Sequence, residues 1–286
     1  MQFPLSKYEE IPAPRRNTLQ VFITTRCNLK CYGCFARKVM SGEEVDISFD
    51  EYKDAVAKAY VKGVKQINLL GGEPLLHPNL KQFIRFNHMF RLKTTVYTNG
   101  YMLDEYKEED FLGAKIRVSL YSSRYGNKNV YRINENNLPL DFCFMVSRET
   151  HIDELLEAAQ VIEEKFKSKV FFISSLRELD NQYEDFFEDT DLTMPLLKYK
   201  QLIHLFLEIY KGNLDIHISK RGVFESTTCL AGNKCKFANY FIGNRIIQCP
   251  YDIVNLKFQN DYEFDKRYCQ HNSSCLMSKV VYRKKL

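Results

Sequence analysis

The stretch TTRCNLKCYGCFA, residues 24–36, follows an apolar run and contains Cys27, Cys31 and Cys34, separated by three residues and then by two. A structural zinc site usually recruits four ligands in two pairs, but the histidine nearest to this trio is His77. In an iron–sulfur cube each cysteine thiolate binds one of the four irons, so three cysteines leave one iron open to a small molecule. The spacing therefore predicts a reactive 4Fe–4S cluster, with zinc or three coincidental core cysteines as the alternatives.

The composition predicts a soluble globular protein of the cytoplasm. The chain has 286 residues, 45% of them hydrophobic and 27% charged, and a net charge of +5 that is spread along the sequence. It has no apolar run of about 18 residues, no signal-peptide pattern at its start and no continuous basic stripe. We therefore expect no membrane span and no nucleic-acid partner. Nine cysteines in such a chain favour metal binding or catalysis over disulfides.

Strand and helix patterns alternate from about residue 18 onward, which predicts an α/β fold with a parallel sheet, curled or open. Ser48 and Glu51 predict a capping box at the start of the clearest helix, and Gly63 follows its end. After residue 212 the helical pattern stops and a hairpin is expected in YFIGNRIIQC. The predicted domains are an N-terminal extension (1–17), an α/β domain (18–212) and a cysteine-rich region (213–286). The six predicted strands are 19–25, 66–70, 94–97, 115–120, 140–146 and 170–174.

Polar residues alternate with apolar ones along two of these strands. Arg117, Ser119 and Tyr121 should share one face of their strand. Thr95, Tyr97 and Asn99 should behave similarly on the strand before it. The core of a closed barrel is filled mainly with branched apolar side chains. Polar inward residues therefore predict a wider cavity that holds a ligand.

A second motif, INLLGGEPLLHP at residues 67–78, follows the second predicted strand as the cysteines follow the first. Gly71 and Gly72 allow the backbone to approach a ligand closely, and Glu73 adds a carboxylate. Ligand sites of parallel α/β folds gather at the carboxyl ends of the strands, so both motifs should face one cavity. The alternative is an ordinary turn between a strand and a helix.

The sequence resembles the radical S-adenosylmethionine enzymes in CNLKCYGC, in GGEP after the second strand and in YTNG after the third. The resemblance covers about residues 18–175. It implies a partial (β/α)6 TIM-like barrel with a small C-terminal cysteine-rich extension. It also implies a 4Fe–4S cluster that binds S-adenosylmethionine at its open iron and yields a 5′-deoxyadenosyl radical, with an electron donor such as flavodoxin or ferredoxin as a partner.

The resemblance also assigns roles to individual residues. Cys27, Cys31 and Cys34 would bind the cluster. This chain has Gly33 where the family usually has an aromatic residue near the adenine, so Tyr32 and Phe35 beside it are the candidate adenine contacts. The other implied contacts to S-adenosylmethionine are Gly71, Gly72 and Glu73 for the amino group, Asn99 and Ser119 for the ribose or carboxylate, and Ser147 and Arg148 after the fifth strand.

Five further cysteines, between residues 229 and 275, resemble the twitch or SPASM extension of many relatives. In CLAGNKCKFANYFIGNRIIQCP, Gly243 stands one place early, and Asn244 is expected to adopt the same left-handed turn. The resemblance implies one auxiliary 4Fe–4S cluster, and a structural zinc ribbon is the alternative. Its proposed ligands are Cys229, Cys249, Cys269 and Cys275, with Cys235 in reserve.

Three functions follow as hypotheses. The first is an enzyme that oxidatively modifies a small molecule, by dehydrogenation or bond formation. The second is a maturase that crosslinks or epimerises a peptide, and the third is a non-enzymatic iron–sulfur electron carrier. Cys143 is a candidate hydrogen donor to a substrate radical, although a buried cysteine is more often a small hydrophobe.

Overall fold

A computed structural model describes residues 8–12, 16–31, 34, 42–122, 133, 138–166, 168–175, 194–219, 236–248, 258–262, 264 and 279–284. Seven of the candidate site residues lie outside these ranges and stay predictions: Tyr32, Phe35, Cys229, Cys235, Cys249, Cys269 and Cys275. None of the described helices is long and apolar enough to cross a membrane.

The described ranges form eleven strands and five α-helices. The strands are β1 (Tyr8–Pro12), β2 (Thr18–Phe22), β3 (Gln66–Leu70), β4 (Lys93–Thr98), β5 (Lys115–Tyr121), β6 (Leu140–Val146), β7 (Val170–Ser175), β8 (Asp215–Ser219), β9 (Phe237–Phe241), β10 (Arg245–Ile247) and β11 (Lys279–Lys284). The helices are α1 (Phe49–Val61), α2 (Leu80–Met89), α3 (Glu108–Phe111), α4 (Ile152–Lys165) and α5 (Leu196–Ile209), and Pro74–Leu76 and Leu103–Glu105 are 3-10 turns.

All six predicted strands are confirmed, as β2 to β7, with boundaries that differ by three residues or fewer. The predicted hairpin is confirmed as β9 and β10, which pair antiparallel. Its turn has Gly243 at φ 83° and Asn244 at φ 57°, so Asn244 does adopt the expected left-handed conformation. Strands β1, β8 and β11 were not among the predicted strands.

The chain divides into two compact units. The N-terminal unit comprises Arg15–Arg117 and Gly232–Cys269, and the central unit comprises Met1–Pro14, Val118–Ala231 and Gln270–Leu286. The region predicted as a C-terminal extension therefore contributes β9 and β10 to the first unit, and β8 and β11 to the second.

The N-terminal unit has a parallel sheet in the order β4-β3-β2-β9, with β10 antiparallel at its edge. One face of this sheet packs on helices. Val21, Leu69 and Val96 are fully buried on it and are register partners. Tyr240 pairs with Val21 and reaches α1 through a 2.8 Å hydrogen bond from its hydroxyl to Glu51 Oε1. This is the outer face, and residues one position away along each strand point inward.

The inner face has two layers of different chemistry. The register partners Gln20, Asn68, Thr95 and Asn239 form a buried polar layer. Two residues further toward the carboxyl ends of β2, β3 and β9 lie Phe22, Leu70 and Phe241. They form an apolar cluster with Ile247, which is the register partner of Asn239 on the antiparallel strand β10. The prediction that inward positions include polar residues is therefore confirmed for Thr95.

Helix α1 begins where the sequence predicts. Ser48 Oγ accepts a hydrogen bond from the Glu51 amide at 3.1 Å. The Glu51 side chain, which the capping-box pattern directs back to the Ser48 amide, instead accepts hydrogen bonds from the Tyr240 hydroxyl and, at 2.7 Å, from the Gly243 amide. A carboxylate that the local pattern assigns to a helix end thus holds the distant β9–β10 turn.

In the central unit, β6, β7 and β8 are parallel, and β11 joins β8 and β1 by antiparallel pairing. Phe142 and Phe171 are fully buried, and their rings contact Phe166 and Phe206. Alternation along β5 leaves Ser119 and Tyr121 half-buried and buries Val118 and Leu120. The predicted parity of β5 is therefore confirmed.

We predict that Tyr52→Phe destabilises the protein by about 1 to 3 kcal/mol. The Tyr52 hydroxyl is fully buried and donates to Asn87 Oδ1 at 2.9 Å, so its removal leaves a buried acceptor without a partner. Urea unfolding of the variant measures the change. Tyr60→Phe is the matched control, since Tyr60 lies on the same helix but is 40% exposed. Equal losses in the two variants would contradict the assignment.

Candidate iron–sulfur site

The pairing of β2 with β3 continues past the ends of both strands into the two sequence motifs. The Ile23 amide donates to the Leu70 carbonyl at 2.8 Å. Beyond it, the Gly72 amide donates to the Thr24 carbonyl and the Glu73 amide to the Arg26 carbonyl, both at 2.8 Å. The residues immediately before Cys27 are therefore fixed to the GGEP turn by main-chain hydrogen bonds.

The two glycines of this turn are required by that contact. A Cβ at Gly71 would lie 2.6 Å from the Thr24 carbonyl oxygen, and a Cβ at Gly72 would overlap the carbonyl group of Arg26. The sequence suggested that the glycines admit a ligand. In the structure they admit the backbone of the cysteine loop.

A second segment holds the cysteine loop from the other side. The Thr25 amide donates to the Val45 carbonyl at 2.9 Å. Arg26 forms a bidentate ion pair with Asp46, at 2.6 Å for Nη2 to Oδ2 and 3.1 Å for Nε to Oδ1, and Thr24 Oγ1 donates to the same carboxylate at 2.6 Å. Nη2 of Arg26 also donates to the Leu76 carbonyl at 2.7 Å. We call Thr24, Arg26 and Asp46 the loop clasp.

The loop clasp was not predicted from the sequence. Arg26 is adjacent to Cys27, but Asp46 lies 20 residues further along the chain. No local pattern links a carboxylate at that separation to an arginine. Only the antiparallel bridge between Thr24 and Asp46 brings the two segments together.

Glu73 is a buried carboxylate that joins the GGEP turn to the end of β4. It is 1% exposed and accepts hydrogen bonds from the Leu75 amide (3.0 Å), the Thr98 hydroxyl (2.7 Å) and the Asn99 amide (2.8 Å). Burial raises the pKa of Glu73 to about 7, and these hydrogen bonds oppose the rise. These three hydrogen bonds orient the carboxylate, and none of the three donors carries a formal positive charge.

Asn99 connects β4 to the cysteine loop. Its Nδ2 donates to Asn28 Oδ1 at 2.7 Å, and its Oδ1 accepts from the Tyr101 amide at 3.0 Å. Asn28 stands directly after Cys27 and was not singled out from the sequence. The three motifs that carry the family resemblance are therefore neighbours within the N-terminal unit.

The donor set of the loop fits an iron–sulfur cube. Cys27, Cys31 and Cys34 are half-buried, and none forms a disulfide. The Leu29 amide donates to Cys27 Sγ at 3.4 Å, a contact of the kind that tunes cluster sulfurs. Burial raises the pKa of the Cys27 thiol; the Leu29 amide opposes the rise and the charge of Glu73 adds to it. Coordination to iron would deprotonate this thiol.

Within the described part of the chain, no three His, Cys, Asp or Glu side chains converge on a point where one metal ion would bind.

His77, the histidine nearest to the trio in sequence, is engaged elsewhere. Its Nε2 lies 3.1 Å from the Ile47 carbonyl, and its Nδ1 accepts from the Asn79 amide at 3.0 Å. Burial lowers the pKa of His77, which favours the neutral ring with Nε2–H as donor. Both ring nitrogens are therefore used, in keeping with a ligand set of three thiols.

Four candidate residues lie in the central unit: Cys143, Ser119, Ser147 and Arg148. Cys143 is 7% exposed, and its sulfur is 3.6 Å from Ser174 Oγ and 3.7 Å from the Met145 sulfur. Ser147 is buried in the β6–α4 turn, where its amide donates to Thr150 Oγ1 at 2.9 Å. Arg148 accepts at its carbonyl from Lys198. Their roles toward a substrate or S-adenosylmethionine remain predictions.

The model of the Radical SAM superfamily matches residues 21–190. The chain belongs to this superfamily. The match begins in β2 and covers the three cysteines, the GGEP turn and the end of β4. The recognition made from the cysteine spacing is confirmed, and membership implies a 4Fe–4S cluster and S-adenosylmethionine.

Among curated proteins, the chain is similar to GTP 3′,8-cyclases. It is 34% identical over 95 residues to that of Nautilia profundicola, a match that spans 32% of this chain and 30% of the relative. It is 29% identical over 128 residues to that of Staphylococcus haemolyticus, spanning 42% and 38%. The chain thus covers well under two thirds of the length of these relatives.

Among solved structures, the chain is similar to SuiB of Streptococcus suis, determined bound to its precursor peptide SuiA. The TM-score is 0.63 at 16% identity, over 91% of this chain and 66% of SuiB. This likeness shows the fold. The predicted fold class is confirmed as a mixed α/β fold with a mostly parallel, open sheet of the partial TIM-like kind.

We predict that Asp46→Asn lowers the free energy of unfolding by about 1 kcal/mol at neutral pH, a modest figure because the Arg26 and Asp46 side chains are 31% and 29% exposed. Burial raises the pKa of Asp46, but hydrogen bonds from Thr24 and Arg26 outweigh burial and lower it below its ordinary value of 3.8. The charged carboxylate therefore stabilises the fold fully above pH 3.8, and this contribution is lost as pH falls through the folded pKa.

Urea unfolding at several pH values tests this prediction. The gap between wild type and Asp46→Asn should close in acid. Asp50→Asn is the control, because the Asp50 side chain is 89% exposed and pairs with nearby Lys53 on α1. A gap that persists unchanged in acid, or a similar gap for Asp50→Asn, would show that the loop clasp does not act through the charge of Asp46.

Proposed function

We propose that the protein is a radical S-adenosylmethionine enzyme that abstracts a hydrogen atom from its substrate and completes an oxidative modification of a small molecule. The observation that carries this proposal is the loop with three cysteines, which main-chain hydrogen bonds fix to the GGEP turn. When bound, a 4Fe–4S cluster with S-adenosylmethionine supplies one-electron cleavage of the sulfonium and a 5′-deoxyadenosyl radical. The protein supplies position and keeps water from the reaction.

We assign Cys27, Cys31 and Cys34 to the cluster. The turn formed by Gly71, Gly72 and Glu73 is assigned to the methionine amino group. A nearby cation favours the charged form of a buried carboxylate whose pKa is about 7, and the amino group of S-adenosylmethionine is such a cation. The lack of a formal positive charge among the three donors to Glu73 supports this assignment.

The remaining contacts of S-adenosylmethionine are proposed at Asn99 and Ser119, with Ser147 and Arg148 after β6. Asn99 already uses both side-chain groups in hydrogen bonds to Asn28 and Tyr101. It would therefore contribute by positioning the cysteine loop, or would exchange one of these bonds for a bond to the ligand. Tyr32 and Phe35 are proposed at the adenine.

One auxiliary 4Fe–4S cluster is proposed to accept the second electron of the oxidation. Its ligands would be Cys229, Cys249, Cys269 and Cys275, with Cys235 in reserve. A zinc ion at the same cysteines would support the region but could not accept an electron. Iron and zinc analysis of the purified protein distinguishes the two metals.

The substrate class has two candidates. The first candidate is a small molecule, and the similarity to GTP 3′,8-cyclases, which by their name act on a small molecule, favours it. The fold likeness to SuiB, which was determined with a precursor peptide, motivates a peptide substrate as the second. Cys143 is proposed as a hydrogen donor only in the epimerising version of the second, because an oxidation does not return the hydrogen atom. Deuterium incorporation from solvent at a peptide α-carbon would favour that version.

We predict that anaerobically reconstituted protein, reduced by dithionite or by flavodoxin with its reductase, converts S-adenosylmethionine to 5′-deoxyadenosine and methionine. Cys27→Ala should abolish the product, because the cluster would lose one of its three thiolates. Liquid chromatography of the quenched reaction measures both products. The electron paramagnetic resonance spectrum of the reduced protein should change when S-adenosylmethionine is added, since the ligand binds at the open iron.

Apo Cys27→Ala with an unchanged far-ultraviolet circular dichroism spectrum controls for misfolding. A wild-type protein that holds its iron–sulfur clusters but forms no 5′-deoxyadenosine would favour the electron-carrier hypothesis. A protein that takes zinc in place of iron at the first three cysteines would exclude the proposed chemistry.

A further inference from the structure

The side chains Phe22, Leu70, Phe241 and Ile247, which we call the apolar plate, lie on the inner face of the N-terminal unit. The first three stand at the carboxyl ends of β2, β3 and β9, and Ile247 stands beside Asn239 on the antiparallel strand β10. All four are buried, and the rings of Phe22 and Phe241 stack with centroids 4.3 Å apart. Cys34 and Tyr97 pack against this plate. One of the three candidate cluster ligands therefore rests on an apolar surface.

Half of the apolar plate comes from the distant β9–β10 hairpin. Phe241 and Ile247 belong to β9 and β10, which follow Cys34 by some 200 residues. Three contacts hold the hairpin: β9 pairs with β2 in parallel, the Thr18 amide donates to the Lys236 carbonyl at 2.7 Å, and Glu51 accepts from Tyr240 and Gly243. The position of the plate is thus set by the sheet and by α1.

The polar layer of Gln20, Asn68, Thr95 and Asn239 lies one inward position below Phe22, Leu70 and Phe241, and Ile247 borders this layer at Asn239. Asn239 is fully buried and donates from Nδ2 to the Ile247 carbonyl at 3.0 Å, while its Oδ1 has no hydrogen-bond partner among the described residues. A buried polar group in this state is the kind that internal water satisfies. Cys34 therefore packs on the apolar residues that border this layer.

We propose that the apolar plate seals the first cluster from the polar layer and holds the cluster at a low reduction potential. This inference rests on the proposed function. A cube with three thiolates carries net negative charge, and reduction adds one more. An environment of low polarity penalises the more highly charged state, as burial does for any anion. Exclusion of water and apolar packing are known means of tuning such clusters.

The hairpin offers a matched pair of substitutions for the test. Ile246 and Ile247 are neighbours on β10, both are buried, and they point to opposite faces. Ile247→Thr places a hydroxyl in the plate, whereas Ile246→Thr places it on the opposite face. Phe241→Leu is the conservative variant, since it keeps an apolar side chain in the plate.

The experiment uses the reconstituted full-length protein without S-adenosylmethionine. The midpoint potential of the first cluster is measured by redox titration followed by electron paramagnetic resonance, in a background where Cys249→Ala and Cys269→Ala remove the proposed auxiliary signal. Release of iron to bathophenanthroline is timed in parallel. Thermal unfolding of each variant measures the cost of the substitution to the fold.

We expect Ile247→Thr to shift the midpoint potential to a more positive value and to release iron several-fold faster, while Ile246→Thr and Phe241→Leu stay close to the parent protein. Equal potentials and release rates for the two threonine variants would overturn the role of the plate. If Ile247→Thr fails to fold, Leu70→Thr, which also places a hydroxyl in the plate, replaces it with the same expectation. A wild-type protein that binds no iron at Cys27, Cys31 and Cys34 would overturn the proposed function itself, a result separate from any comparison of variants.

Discussion

The site depends on main-chain hydrogen bonds that continue the β2–β3 pairing past the ends of both strands. A strand end in a parallel sheet ordinarily releases its loop to solvent, and each loop then takes a conformation of its own. Here the Gly72 and Glu73 amides bind the carbonyls of Thr24 and Arg26, so the two loops leave the sheet as one unit. This is possible only where no side chain stands between the backbones, which explains the glycine pair. The cysteine loop inherits its position from the sheet.

Buried side-chain hydrogen bonds extend this order to the third motif. Glu73 accepts hydrogen bonds from the Asn99 amide and the Thr98 hydroxyl, and the Asn99 side chain donates a hydrogen bond to Asn28 in the cysteine loop. These hydrogen bonds connect the loop after β2 to the turn after β3, that turn to the end of β4, and the end of β4 back to the loop after β2. A buried carboxylate would be costly alone, but hydrogen bonds to its charged form offset part of the desolvation penalty. The remaining desolvation penalty falls on Glu73, the residue next to which the cationic amino group of S-adenosylmethionine is proposed to bind.

Much of the fold could be predicted because most of its strands are marked by patterns within a few consecutive residues. The six strands from β2 to β7 have short runs of β-branched and aromatic residues, and the alternation of β5 correctly separated Ser119 from Val118. The motifs also located the site, since cysteines, GGEP and YTNG each follow a strand. What could not be predicted rests on pairs distant in sequence. Asp46 meets Arg26 across 20 residues, and Glu51 meets Tyr240 across 189. The capping pattern correctly predicted the hydrogen bond to Ser48, but it did not predict the partners of the Glu51 side chain, because these lie on the distant hairpin.

The β9–β10 hairpin lies in the cysteine-rich region by sequence but pairs with a strand from near the start of the chain. The change of texture after residue 212 is real: among the described residues beyond it, the named elements are all strands. Yet β9 pairs with β2, the strand that leads directly into the cysteine loop. The inner surface beside Cys34 therefore includes side chains from both ends of the sequence, Phe22 from one and Phe241 from the other. Long-range parallel pairing of this kind is slow to form, because the chain must close a large loop before the contacts stabilise it. The β2–β3 pairing joins Thr18 to Gln66, whereas the β2–β9 pairing joins Thr18 to Phe237 and closes a much larger loop. The apolar support of the cysteine loop therefore carries the larger entropic cost of loop closure and is complete only when the hairpin has joined the sheet.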